Sequence, residues 1–312
     1  MNSIDKKFKE LMDDIDSKSL DEVYQFIKDT FDKQLEADQE ALIKYFQTFD
    51  YWGVIDKEND NYEELHNRAV ALKEHTREYR DLYKRLGDYR SKLVLFAVLN
   101  NWYRFDYRSL KTCREYNYRQ YFDLDILKCN KDEVIVDLGA FTGDTVKDYV
   151  DSYGIDNYKK IYCYEMSFDN FIKLIDRTIK YKNIIRRNVA VSDTKGVVYI
   201  DENSFSSSAN RISDSGEKKV ETITLDEEIT EKITLLKMDI EGAEKKAIMG
   251  AKNHIINDNP KLLISVYHNH EDLYKIPSMI NELNNNYKYY LRYYSGSLFP
   301  TEIVLIGIPR RK

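Results

Sequence analysis

Glycine and proline are scarce in this chain, and the scarcity is uneven. Of 312 residues, 11 are glycine and four are proline. Residues 1–138 hold only Gly53 and Gly87 and no proline. A stretch so poor in chain breakers, and rich in Lys, Glu, Asp and Leu, argues for helix. The three cysteines, Cys113, Cys129 and Cys163, form no C-x-x-C pair; this excludes a disulfide scaffold and fits a reducing compartment. The longest unbroken apolar run is Leu93–Leu99, far short of the ~20 residues that a membrane span needs. The opening M-N-S-I-D-K-K-F-K-E-L-M-D-D has no apolar run, so no signal peptide and a cytoplasmic location are expected. A basic excess is also lacking: 48 Lys and Arg against 54 Asp and Glu leave a net charge of −6. That balance argues against nucleic acid or an anionic membrane as a partner.

What is present describes a packed protein. Hydrophobic residues make up 42% and aromatic residues 13%, enough for a core and against disorder. The length suits one large domain plus an appendage. Apolar spacing supplies the helices. Ile4, Phe8, Leu11, Met12 and Ile15 fall on one helical face. Tyr62, Leu65, Ala69, Leu72, Tyr79 and Leu86 continue the pattern from a cap at Asn61 to a stop at Gly87. Asp88 then caps a more apolar helix through Leu93, Phe96, Ala97 and Trp102. Four or five helices are expected here, with an aromatic group (Tyr103, Phe105, Tyr107, Tyr116, Tyr118, Tyr121) exposed enough to form a lid or a dimer face.

From about residue 131 the period changes. E-V-I-V-D-L-G (133–139), K-I-Y-C-Y-E (160–165), N-I-I-R-R-N-V-A-V (183–191), I-T-L-L-K-M-D (233–239) and L-L-I-S-V-Y-H (262–268) read as buried strands. Helix patterns separate them, over 142–153, 168–181, 241–257 and 271–285. Two extended pieces, 196–202 and 219–227, flank a serine-rich loop. Such alternation is the signature of a parallel sheet covered on both faces. The last two strands, 288–294 and 302–308, are separated by seven residues. A parallel crossover takes about a dozen or more, so this pair must be an antiparallel hairpin.

Four rim positions carry chemistry. Ligands of open α/β sheets bind at the carboxyl ends of the strands. At the first such end lies Asp137-Leu138-Gly139-Ala140-Phe141-Thr142-Gly143-Asp144-Thr145, whose glycines permit a tight turn and whose following helix amides suit a carboxylate. Glu165 ends the second strand, 22 positions after Gly143, where an acidic residue can accept the two hydroxyls of a ribose; Met166 beside it could pack on an adenine. Asp239, Glu241 and Glu244 cluster where the fourth strand meets its helix, with Glu241 and Glu244 expected in the first helical turn. His268, at the end of the fifth strand, is the side chain best suited to take a proton near neutral pH. The loop 203–211, with Ser207 and Arg211, offers polar groups to an acceptor. No spaced metal-ligand signature is present, so no metal is expected, and a divalent ion on Asp239, Glu241 and His268 is the minority reading.

At these residues the sequence resembles the FkbM-type family of class I S-adenosylmethionine-dependent methyltransferases. The matching stretches are V-D-L-G-A-F-T-G-D-T (136–145), N-V-A-V-S-D (188–193), E-T-I-T-L-D-E (221–227) and above all L-L-K-M-D-I-E-G-A-E-x-x-A-I-M-G-A (235–251). Met166 and Phe141 depart from the commonest form, in side chain only. The resemblance implies an α/β fold with a doubly wound sheet in the order 3-2-1-4-5-7-6, its last strand antiparallel. An all-helical region, residues 1–118, would precede a catalytic domain over 119–312. The resemblance further implies S-adenosyl-L-methionine as cofactor, held by Asp137, Gly139, Ala140, Phe141, Thr142, Gly143, Asp144, Thr145, Glu165, Met166, Asn188, Val189, Ala190 and Asp239. Methyl transfer to a hydroxyl of a sugar or glycan precursor would follow, with His268 as base, Asp239 as its runner-up or orienting partner, and Glu241, Ser207, Arg211 and Arg292 toward the acceptor. N-methylation, a nicotinamide-dependent oxidoreductase and a non-catalytic interaction module are the alternatives.

Overall fold

The computed structural model describes residues 2–201, 211–213, 218–296 and 298–310. Seven α-helices fill the glycine-poor stretch among them: α1 Ser3–Asp16, α2 Leu20–Asp32, α3 Glu36–Thr48, α4 Glu63–Glu74, α5 Thr76–Arg85, α6 Tyr89–Arg104 and α7 Tyr107–Cys113. Capping boxes start the first two, Asn2 with Asp5 and Ser19 with Glu22, each satisfying amides that a helix start leaves open. α1 buries Ile4, Phe8, Leu11, Met12 and Ile15, the face that its spacing selects. The single helix expected over 62–86 is two, because the backbone leaves the helical region at His75. Asp88 caps α6 by accepting the Ser91 amide. α6 is buried on nearly every side from Val94 to Tyr103 and packs on α1, α2, α4 and α7, as an apolar helix must.

Two of the sequence expectations for this stretch are qualified for the same reason. The helix does stop before Gly87, with Leu86 as its C-cap, but Gly87 is not left-handed. It is required because a Cβ there would lie 2.5 Å from the Tyr290 ring, while its amide donates to Tyr289 O at 2.8 Å. The aromatic group is also largely interior: Tyr103, Phe105 and Tyr121 are buried, and Tyr116 is the exposed one. In both cases a partner distant in sequence decides the role.

The second half supplies β1 Val134–Leu138, β2 Lys160–Tyr164, β3 Ile184–Arg187, β4 Ala190–Val191, β5 Gly196–Asp201, β6 Arg211–Ser213, β7 Lys218–Ile223, β8 Leu235–Met238, β9 Lys261–Ser265, β10 Tyr287–Tyr293 and β11 Ile303–Pro309. Helices α8 Asp144–Tyr153, α9 Phe168–Thr178, α10 Leu225–Glu228, α11 Glu244–Gly250, α12 Lys252–Asn257 and α13 Asp272–Leu283 alternate with them. A seven-stranded sheet has the order β10-β11-β9-β8-β1-β2-β3. Counting only its own strands along the chain, this is the expected 3-2-1-4-5-7-6. The closing pair is antiparallel: Tyr294 N donates to Glu302 O at 3.1 Å and Arg310 N to Asn286 O at 2.8 Å, partners descending as donors ascend. The strand expected over 183–191 breaks at Asn188, and its second part joins a separate four-stranded sheet, β4-β7-β5-β6.

The chain divides into two compact units, and the first adds two later segments to the helical stretch: Met1–Tyr116, Val266–Ser278 and Lys288–Leu305. The second comprises Asn117–Ser265, Met279–Tyr287 and Ile306–Lys312. Within the first, Trp52 Nε1 donates to Tyr267 O at 3.1 Å, Leu291 N to Ser91 Oγ at 3.0 Å and Glu115 N to Tyr293 O at 2.7 Å. A fully enclosed ion cluster also ties it. Glu64 takes Arg68 Nη2 on both oxygens at 2.8 Å and His270 Nε2 at 3.1 Å, with the guanidinium over the Phe105 ring. Buried pairs of this kind are costly to break from one side, because the remaining charge is stranded. Glu64→Ala should therefore destabilise the fold by about 3–5 kcal/mol, read as a fall in the denaturant midpoint; a change below about 1 kcal/mol would contradict the picture.

Candidate functional site

Parallel register builds the rim. Leu138, the last residue of β1, pairs with Tyr164 of β2 and Met238 of β8, and Tyr164 pairs in turn with Arg187 of β3. The residues that follow these four strand ends are Gly139, Glu165, Asp239 and Asn188. Register alone therefore brings together four positions up to 100 residues apart in the sequence.

The turn after β1 is tightly specified. Gly139 and Gly143 are left-handed, at φ +73 and +82, and Phe141 between them shares that region at φ 45. A Cβ on Gly139 would stand 1.8 Å from the Asp239 carbonyl oxygen, so the turns leaving β1 and β8 touch backbone to backbone. Gly139 N and Ala140 N both donate to Tyr164 O at 3.0 Å, and Gly143 N to Ala140 O at 2.8 Å. Thr142 is buried, Thr145 half-buried and Asp144 exposed, at the start of α8.

Glu165 is held from both sides. Its Oε2 accepts the Phe141 amide at 2.9 Å and its Oε1 the Ser167 amide at 2.8 Å. The carboxylate is thus anchored to the glycine turn, and its remaining lone pairs are available to further donors. Asn188 secures the same strand end: its Nδ2 donates to Glu165 O at 2.8 Å and to Met166 O at 3.1 Å. This explains why the chain leaves the large sheet there. Val189 and Ala190 are buried just beyond, and Met166 is half-buried.

Asp239 follows β8, with its amide on Leu138 O at 3.1 Å and its Oδ2 accepting the Tyr121 hydroxyl. Glu241 does not lie in a helical turn as expected. It is left-handed, φ 55, with Gly242 at φ 92, because the chain reverses before α11 begins at Glu244. Glu244 opens α11; it is fully buried and accepts the Ile240 amide at 2.8 Å, bracing the reversal before the helix. Two residues of this rim are not singled out by the sequence reading. Tyr121 sat among the aromatics, and Lys237 inside a motif. A lysine in the middle of the apolar run L-L-K-M was the clue available for the second.

Ionisable groups are concentrated beneath the turn. Lys237 Nζ lies 3.0 Å from Asp137 Oδ1 with both side chains buried. Burial pushes the Asp137 carboxyl up to about 6 against the pull of Lys237. Burial opposes the Lys237 charge as well, yet Asp137 and Asp239 hold its pKa above the ordinary value. Burial also raises Glu165 to about 7, although the two amides and Lys237 oppose it.

Four candidates remain. His268 and Arg292 belong to the first compact unit. His268 is buried, three residues beyond β9, its ring against that of Tyr267 at 4.2 Å. Arg292 is not disposed toward an acceptor: it is buried, and its guanidinium bonds Asp88 Oδ2 at 2.7 Å and Ser91 Oγ at 3.1 Å. Its partners at the start of α6 hold it in the interior. Ser207 and the side chain of Arg211 lie outside the described residues.

Comparison with known proteins follows from this geometry. The family model described as the methyltransferase FkbM domain matches residues 51–289. The chain belongs to that family. Among solved structures, the methyltransferase FkbM from Methylobacillus flagellatus KT shares the fold at a TM-score of 0.64 and 22% identity, over 77% of this FkbM-family chain and 61% of that one. The chain thus spans less than two thirds of that protein's length. An rRNA methylase from Streptococcus thermophilus is more distant, at TM-score 0.39 and 12% identity over 59% of this chain and 90% of that one. Fibrillarin from Aeropyrum pernix, solved with natively bound S-adenosyl-L-methionine, has TM-score 0.35 and 11% identity over 58% and 67% of the two chains. No curated protein matches the sequence. Among the described residues, no helix is long and apolar enough to cross a membrane.

The raised Glu165 carboxyl has a measurable consequence. With a pKa of about 7 in the fold against 4.5 ordinarily, the folded state binds more protons than the unfolded one between those values. Stability therefore falls as pH rises through that window, by about 3 kcal/mol for this group. Glu165→Gln should remove that share of the slope, so that its stability relative to the parent improves from pH 5 to pH 8 in urea titrations. Parallel curves for parent and variant would contradict the assignment.

Proposed function

We propose that this protein transfers a methyl group from S-adenosylmethionine to a small polar acceptor, a hydroxyl of a sugar or glycan precursor. The observation that carries the reading is the register that sets Glu165 beside the left-handed Gly139–Gly143 turn, in a chain of the FkbM family. The residues fit the cofactor. Glu165 offers a pre-oriented carboxylate for the ribose diol. Asn188, Val189, Ala190 and Met166 form the adenine side. The turn from Gly139 through Thr145, with Ala140, Phe141, Thr142 and Asp144, receives the amino-acid part. Asp137 acts from below the turn, through Lys237.

When bound, the cofactor supplies an electrophilic methyl carbon on a sulfonium, so the protein need not generate one. The chain's own contribution is orientation and a proton acceptor. Fixed orientation of the reacting groups is worth up to ~7–11 kcal/mol, and a positioned base about 10²–10⁴-fold in rate. His268 is the base in this reading, with Asp239, oriented by Tyr121, as the alternative; Glu241 faces the acceptor.

The proposal is tested by calorimetry with S-adenosylhomocysteine and by mass spectrometry of metabolite extracts incubated with the protein and isotopically labelled cofactor. Glu165→Ala should weaken S-adenosylhomocysteine binding by at least about 10- to 100-fold, the worth of one charge-assisted hydrogen bond; affinity within twofold of the parent would remove the ribose assignment. His268→Ala should leave that affinity within about twofold while labelled product formation falls about 10²–10⁴-fold. Undiminished product formation would transfer the role to Asp239.

A further inference from the structure

Lys237 is a charged residue in the interior of the sheet, paired in register with Asp137 on the neighbouring strand β1 and almost wholly inaccessible. Its ammonium has three donors, and three acceptors surround it. They are Asp137 Oδ1 at 3.0 Å, Leu138 O at 3.3 Å and Gly139 O at 2.7 Å. The Tyr121 ring lies 5.3 Å from it. Asp137, by contrast, is committed to nothing else: its Oδ2 is buried without a hydrogen-bond partner among the described residues. Burying two charges to satisfy only each other gains little, since well-packed apolar residues do as well. The bond that apolar residues could not replace is the one to Gly139 O, the carbonyl at the head of the left-handed turn.

We infer that Lys237 is a positioning residue: it clamps the carbonyls of Leu138 and Gly139 so that the turn is preformed for the cofactor, and Asp137 serves to keep that ammonium charged and in place. The inference rests on the proposed cofactor role of the turn. Preforming a binding loop raises affinity by removing the ordering cost from the binding step.

A double-mutant cycle separates the clamp from mere charge balance, comparing the parent with Asp137→Asn, Lys237→Met and the double variant. Two readouts apply: S-adenosylhomocysteine affinity by calorimetry, and hydrogen exchange of the Gly139 and Ala140 amides without ligand. Lys237→Met strands a buried carboxylate and should melt lower, whereas the double variant, with no unpaired charge, should regain a cooperative transition. Despite that recovery, the double variant should bind at least tenfold more weakly than the parent and exchange both amides at least tenfold faster. Asp137→Asn, which keeps the ammonium but removes its counter-charge, should fall between the parent and Lys237→Met in each. Double-variant affinity and exchange within threefold of the parent would overturn the clamp, as would an Asp137→Asn variant as impaired as Lys237→Met, or a double variant that never regains cooperative melting. A parent that fails to bind S-adenosylhomocysteine would instead refute the cofactor reading, and the exchange data would still decide the clamp.

Discussion

Two backbones meet where β1 and β8 end, with no room for a Cβ at Gly139, 1.8 Å from the Asp239 carbonyl oxygen. That close approach follows from parallel register, which aligns Leu138 with Met238 and with Tyr164. Everything chemical about the rim depends on it. If β8 slipped by one residue, Lys237 would lose its place beside Asp137 and its side chain would change face. The left-handed residues crowd here for the same reason: Gly139, Phe141, Gly143, Glu241 and Gly242 reverse the chain within a space that ordinary turns would overfill.

The second feature of the rim is its electrostatics. Asp137, Glu165 and Lys237 are all buried; Glu165 and Lys237 are retained by hydrogen bonds to backbone, and Asp137 by the Lys237 charge. Glu165 accepts two amides; Lys237 donates to two carbonyls. Charges held this way are fixed in direction, and fixed direction is what recognition of a diol or support of a turn requires. Carboxyls raised by burial to about 6 and about 7 also make the rim sensitive to pH near neutrality, which is common where a fold keeps ionisable groups for function.

Much of this was legible in the sequence wherever the signal is local. The buried face of α1, the cap at Asp88, the alternation of strands with helices, the short final connection and the D-I-E-G-A-E turn each follow from spacing within a few residues. What sequence could not display is the identity of distant partners. Gly87 stands just past a helix end, as its position suggests, but its closeness to Tyr290 is set by a strand far along the chain. Arg292 looked available and is bound to Asp88. Asn188 sat inside an apparently continuous strand, yet its bonds to the end of β2 send the chain into another sheet. Glu241 resembled a first-turn carboxylate until the reversal at Gly242 removed it from the helix. Lys237 stands in an apolar run, but its three acceptors come from the end of another strand and its turn, some 100 residues earlier.

The most direct test of the central claim is a crystal structure of the protein with S-adenosylhomocysteine. The account predicts both ribose hydroxyls within hydrogen-bond distance of the Glu165 carboxylate and the amino-acid portion over the Gly139–Gly143 turn. A ligand bound elsewhere, or a ribose that leaves Glu165 untouched, would contradict it.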